Sequence, residues 1–269
     1  MFGDLNPRPI LPVALMSSLL SRRGSTISGW SPLEITPSGW YDALLSAKVL
    51  SGVDIQSWTD LSVNGRHAVA SATGLTYSDT DREIVFPGSK WFNLPSALVA
   101  AGNSPFTVAA VARVASAASG EPIIYGQGVA SANQAPHVGA RAISTSQFTL
   151  AFNNYSADAY ASSSISGSLR TSHFILVATY TGDRKFMWVN GVQVVNVAYT
   201  AANTSTSTPR LGNGPFATNG AWIGGIRTVV AAQSAITDMV RQKLEGYLAH
   251  HWDLQSRLPS DHPYAATAP

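Results

Sequence analysis

Ser234-Ala-Ile-Thr-Asp-Met-Val-Arg-Gln-Lys-Leu-Glu-Gly-Tyr-Leu-Ala-His-His-Trp252, followed by Leu258-Pro-Ser-Asp-His-Pro-Tyr264, is the stretch on which the reading of the chain depends. Thr237 can cap a helix with its hydroxyl, and Asp238 suits the positive end of the helix dipole. Val240, Leu244, Tyr247, Leu248 and Trp252 then recur at three- and four-residue steps, which predicts one amphipathic helix over residues 237–252 and a Pro-pinned tail behind it. Such an apolar stripe has to lie against something flat. Gly246 sits inside the helix at a cost of about 1 kcal/mol relative to Ala, which a close approach by another element explains. The expected element is a β-sheet, because almost everything upstream reads as strand.

Working back from the helix, Ala221 to Val230 is a β-rich run leading directly into it. Lys185 to Val189 and Val192 to Tyr199 are joined at Asn190-Gly191, and Asn-Gly between β-rich runs marks a hairpin because both residues tolerate positive φ. Phe174 to Tyr180, Gln147 to Phe152, Pro122 to Gln127 and Phe106 to Val114 are further runs, with shorter ones from Glu83 and Trp91. About ten strands at short spacing, with no helices alternating between them, predict an antiparallel β-sandwich.

Three groups of residues carry a family resemblance. Glu245 to Ala249 with Trp252, then Leu258-Pro259 and His262-Pro263-Tyr264, match a C-terminal signature; Trp58, Asp60, Ser62, Asn64, Gly65 and Ala68 match an early one; the Asn190-Gly191 hairpin is shared. Residues 39 to 264 thus resemble the LamG-like, concanavalin A-like jelly-roll domains common in tailed-phage particle proteins. The resemblance implies an all-β jelly roll with one C-terminal helix packed on the sheet. It also implies a non-enzymatic virion protein, made in the host cytoplasm and displayed on head or tail. Capsid or tail proteins are its implied partners, together with copies of itself, a trimer being the arrangement common in such proteins. A carbohydrate-binding or receptor-binding module is the alternative, and a glycoside hydrolase of the same fold is the third reading.

Composition narrows these readings. Charged residues make up 12%, about half the usual ~25%. The 17 Lys and Arg are scattered and the net charge is +2, so no nucleic-acid partner is expected. There is no cysteine, which excludes disulfides and thiolate chemistry. Residues 1–35 carry several prolines around an apolar run, read as an arm with an unstructured terminus as the alternative. Ile10, Leu11, Val13, Leu15, Met16, Leu19 and Leu20 are its expected anchor, too short to span a bilayer and unlike a secretory signal. Residues 36–269 form the jelly-roll domain.

Chemistry-bearing patterns are few, and neither catalytic residues nor a cofactor are expected. Asp60, Ser62 and Asn64 imitate the first half of a calcium loop, but Ser71 stands where a bidentate Glu belongs, so a side-chain-bonded turn is the preferred reading. Asp79, Asp81 and Glu83 are the nearest approach to a hydrolase carboxylate pair and read as a solvated turn. Gly212-Asn-Gly214 reads as a turn, and His250 and His251 point about 100° apart on the helix, too far for a joint metal site. His262 is expected to pack at the sheet edge. For glycan contact, Trp91 and Tyr155 are the candidates, as aromatic residues flanked by loops.

Overall fold

The structure is a computed structural model, and it describes residues 29–115, 120–141, 147–152, 158–160, 171–215 and 220–269. Its strands are β1 (Gly39–Asp42), β2 (Lys48–Ser51), β3 (Asp54–Trp58), β4 (Ala68–Ala70), β5 (Thr76–Ser78) and β6 (Glu83–Pro87). Next come β7 (Phe92–Asn93), β8 (Phe106–Val114), β9 (Ile123–Gly126), β10 (Pro136–Arg141), β11 (Gln147–Phe152) and β12 (Asp158–Tyr160). The last are β13 (Phe174–Tyr180), β14 (Arg184–Val189), β15 (Val192–Ala198), β16 (Arg210–Leu211) and β17 (Ile223–Ala232), before helix α1 (Asp238–His251). All described pairings are antiparallel.

The strands fall into two layers. A front sheet runs β2-β3-β4-β7-β16-β9-β10-β11-β12. A back sheet runs β17-β8-β13-β14-β15, with β1 and β6 sharing the other edge of β17. Strand β5 pairs with β3 and β6 and so joins the two. Between the sheets lies an aromatic file in which Tyr41 meets Trp58 at 5.6 Å, Trp58 meets Phe92 at 5.9 Å, and Phe86 meets Phe92 at 5.9 Å. The back sheet is covered on both faces, by the front sheet on one side and α1 on the other. Strands β8 and β13 are therefore buried along nearly their whole length and read as near-continuous apolar runs rather than alternating ones. Among the described residues this is the all-β sandwich with a C-terminal helix packed on the sheet that the sequence predicts.

Helix α1 starts where expected, with the Thr237 side chain accepting from the Val240 amide. Leu244, Tyr247, Leu248 and Trp252 are buried against the back sheet. The close approach at Gly246 is real, but the partner is the tail rather than the sheet. A Cβ there would lie 2.4 Å from the Tyr264 Cβ and 3.3 Å from Pro269 Cδ. Glu245, one residue earlier, is buried and bonded by Arg241 and by His262, whose Nε2 lies 3.2 Å from its carboxylate. The His262 Nδ1 accepts from the Tyr264 amide, which leaves the proton on Nε2 to donate to Glu245. His262 and Pro259 also close on Gly191 of the hairpin. The helix and tail signatures are thus two halves of one clasp. Gly246→Ala is expected to lower stability by about 1–3 kcal/mol despite the better helix propensity of Ala. A thermal melt at or above that of the parent would show the tail is not packed there.

Residues 30–35, placed in the arm by the sequence, lie on this side of the molecule. Pro32 is buried, Leu33 and Ile35 pack on the core, and Trp30 meets Tyr247 at 6.0 Å. Trp30 thus adds to the cover over α1, and residues 30–35 pack with the sandwich rather than apart from it. The anchor residues Ile10 to Leu20 lie outside the described residues.

Candidate functional site

The front sheet has one face turned away from the core. Phe92, Leu211, Tyr125 and Val138 are register partners across β7, β16, β9 and β10, and all are buried core residues. Side chains alternate along a strand, so the neighbouring row, Val69, Asn93, Arg210, Gly126 and His137, points the other way. Trp91 joins that row. Its carbonyl accepts from the Ser71 amide at 2.8 Å, which carries the β4–β7 pairing one position further and turns the indole to the same side as Asn93.

There Trp91, Asn93 and Arg210 meet. The Trp91 Nε1–H donates to Asn93 Oδ1 at 3.0 Å, and the Arg210 guanidinium lies 4.9 Å from the indole centroid. Because Oδ1 accepts, the Asn93 amide nitrogen keeps both hydrogens for a ligand. Arg210 Nη1 donates to the Gly214 carbonyl at 2.9 Å, which fixes the side chain. That carbonyl comes close because residue 126 is glycine: a Cβ there would lie 2.9 Å from Gly214 Cα. Val69, 55% exposed, and exposed Asn93 leave the platform open to solvent. Burial alone pulls the Arg210 guanidinium below its ordinary pKa, and no carboxylate among the described residues pairs with it.

A second polar group sits at the far end of the sheet. Tyr160 Oη is 2.8 Å from both Glu121 Oε1 and Asp158 Oδ2, and Arg141 lies over the Tyr160 ring at 4.3 Å. Burial and the two carboxylates push the phenol pKa up. Here Arg141 has its counter-ion, Glu121, at 3.7 Å. The phenol fills the space between the carboxylates, where a glycosidic bond would have to enter for hydrolysis.

The other sequence candidates fall elsewhere. Tyr155 lies outside the described residues. Asp60 accepts from the amides of Trp40, Ser62 and Arg66 and from the Ser62 hydroxyl, so its carboxylate is filled by a turn; Asn64 donates to the Pro37 carbonyl. Glu83 corrects the expectation of a solvated turn. Asp79 is exposed, but Glu83 is fully buried on β6, paired with Arg113 and 2.7 Å from His173 Nε2, because Gly225 opposite leaves room for its carboxylate. His250 bonds the Tyr264 carbonyl while His251 Nε2 lies 3.1 Å from Asp42, so the two do diverge. Trp40, Trp58 and Trp222 are core residues, and half-buried Trp188 lies on β14 of the back sheet under Arg241, so Trp91 is the one of these five on the open face of the front sheet. Asn93 and Arg210 were not singled out from the sequence. They reach Trp91 only through strand register.

No protein-family model matches the sequence, and no curated protein matches it. Solved structures do. Domain 4 of the GH43 extracellular arabinanase of Geobacillus stearothermophilus, in complex with arabinotriose, superposes with a TM-score of 0.56 at 13% identity, over 75% of this chain and 94% of that one. The fold is a concanavalin A-like jelly roll. A Trypanosoma rangeli sialidase mutant displaying trans-sialidase activity matches with a TM-score of 0.56 at 13% identity, over 89% of this chain but 39% of its own. A botulinum neurotoxin type C structure, whose cell entry depends on interaction with two ganglioside molecules, matches at 0.53 and 14% identity, over 81% of this chain and 53% of its own. The chain therefore spans about half or less of those two larger proteins. At these identities the likeness is one of fold.

Proposed function

We propose that this jelly roll is a glycan-binding module that holds its ligand on the open face of the front sheet, centred on Trp91, without cleaving it. The observation that carries this is the indole of Trp91, held off the core by Asn93 and Arg210 beside exposed Val69 and Asn93. Indole faces stack on the C–H face of a sugar ring, while Asn93 and Arg210 offer hydroxyl-directed donors beside it. Sugar-binding structures among the fold neighbours support the same reading. The Tyr160 carboxylate group, closed by its own phenol, supports binding over hydrolysis.

A glycan array probed with the purified chain tests this. Saturable binding is expected, and Trp91→Ala should weaken it about tenfold or more while leaving the melting temperature within a degree or two, since the ring lies outside the core. An array flat for the parent chain would end the reading.

A finer proposal concerns where the module works. The clasp formed by Glu245, Gly246, His262 and Tyr264 carries the sequence resemblance to tailed-phage particle proteins. With it goes the apolar run Ile10 to Leu20, proposed to attach the module to other virion proteins or to further copies of itself. Mass spectrometry of purified particles is the test, and absence of the chain from them would reject the virion setting while leaving glycan binding intact.

A further inference from the structure

We propose that the ligand of the Trp91 face is an acidic glycan whose sugar carboxylate seats on Arg210. The inference rests on the glycan-binding reading above and adds the chemical class of the ligand.

It follows from how the arginines of this protein are satisfied. Arg113 pairs with Glu83, Arg141 with Glu121, Arg241 with Asp238 and Glu245, and Arg82 with Asp253. Arg227, at a bulge in β17, has no such pair but is wrapped by the carbonyls of Asp81 and Trp252. Arg184 bonds Asn196 Oδ1 through Nε and Nη2, and half-buried Arg66 donates to the Ser38 carbonyl at 2.9 Å, away from the Trp91 face. Arg210 is half-buried too; among the described residues it has one hydrogen bond, from Nη1 to the Gly214 carbonyl, and it sits beside the Trp91 indole. Its Nε–H and Nη2–H, the edge that fits two carboxylate oxygens side by side, have no acceptor among the described residues. Burial lowers the guanidinium pKa with no carboxylate acting against it, so an anion arriving there meets an uncompensated charge in a partly dehydrated setting.

Geometry places the guanidinium beside the sugar platform. Arg210 and Asn93 are direct register partners on β16 and β7, and the guanidinium already lies against the indole. A sugar ring on Trp91 thus brings an equatorial carboxylate within reach of Arg210 and of the free Asn93 amide hydrogens. One guanidinium edge balances one negative charge, which favours a carboxylate over a phosphate monoester carrying about −1.5 to −2.

The experiment uses the full chain on an array of uronic- and sialic-acid-containing oligosaccharides, each printed beside its carboxyl-reduced alcohol and beside a sulfated neutral analogue, with titration calorimetry on the best pair. The acidic form should bind about ten- to a hundredfold more tightly than its alcohol, the range of a charge-assisted bidentate contact. Arg210→Gln should erase that difference, Arg210→Lys should keep only part of it, and Trp91→Ala should weaken both forms. Melting temperature checks that each variant is folded, and if Arg210→Gln melts early, the Arg210→Lys comparison carries the test. Equal binding of acid and alcohol overturns the proposal and leaves glycan binding standing. Sulfated analogues binding as tightly as acids overturn the carboxylate assignment. No binding of any form removes the glycan reading itself, and this inference with it.

Discussion

Replacing Trp252 by alanine should lower the unfolding free energy by about 3–5 kcal/mol, a large share of a domain's ~5–15 kcal/mol. The indole is 1% exposed at the C-terminal end of α1, wedged between the helix and β17. Its Nε1–H donates to Thr228 Oγ1 at 2.7 Å, and the Arg227 guanidinium covers its face at 5.2 Å. Truncation removes the packing, leaves a cavity and takes the ring from under a buried cation. Leu248→Ala, fully buried one turn earlier, should cost about 2–5 kcal/mol by the cavity term alone. For a domain of this size each kcal/mol is worth about 2–4 °C, so the Trp252 variant should melt on the order of 10 °C lower. Melting curves for both variants within error of the parent would mean the helix is not docked.

What the sequence showed and what it hid follow the range of the interactions involved. The cap at Thr237, the hairpin at Asn190-Gly191 and the long runs Phe106 to Val114 and Phe174 to Tyr180 are decided within a few residues, and each stands where its local pattern puts it. In the hairpin both turn residues take the positive φ that Asn-Gly permits, 51° and 78°. Strands β4, β5, β12 and β16 are two or three residues long, too short for any periodicity to register. Strand β10 was hidden for a different reason. It begins at Pro136 and contains Gly139, both of which read as breakers. Gly139 is there because the Pro122 carbonyl passes 2.2 Å from where its Cβ would be, a constraint that only the folded sheet reveals.

The candidate site shows the same division more sharply. Trp91 could be picked out because an aromatic residue between loop residues is unusual locally. Nothing local links it to Arg210, more than a hundred residues later, and the pair exists because β16 slots between β7 and β9. Glu83 was misread for the converse reason. The residues before it in sequence, Ser78 to Arg82, are polar and loop-like, while its neighbours in space are Gly225, Arg113 and His173, which make a buried socket for one carboxylate.

Asp42→Ala should be about as damaging as the loss of Trp252, at about 3–5 kcal/mol, through unsatisfied polar groups rather than a cavity. Asp42 ends β1 and is fully buried. Its Oδ1 accepts from the amides of Leu44 and Leu45 at 2.9 and 3.0 Å, closing the turn that leads to β2. Its Oδ2 accepts from Thr228 Oγ1 at 2.9 Å and lies 3.1 Å from His251 Nε2. Thr228 has one hydroxyl hydrogen, and it is committed to Asp42 because Trp252 already donates to the same oxygen. Helix, β17 and β1 are therefore joined in one directed chain, Trp252 to Thr228 to Asp42. Alanine strands two amides and a hydroxyl in the interior, whereas Asp42→Asn keeps an acceptor for the turn and should cost less. A double-mutant cycle with Thr228→Val separates the chain from simple burial. If the bonds act as a unit, the double variant should be less destabilised than the two single losses added together by at least about 1 kcal/mol in denaturant melts. Additivity to within about 0.5 kcal/mol would mean that Asp42 and Thr228 contribute independently, and that the three groups do not act as one chain.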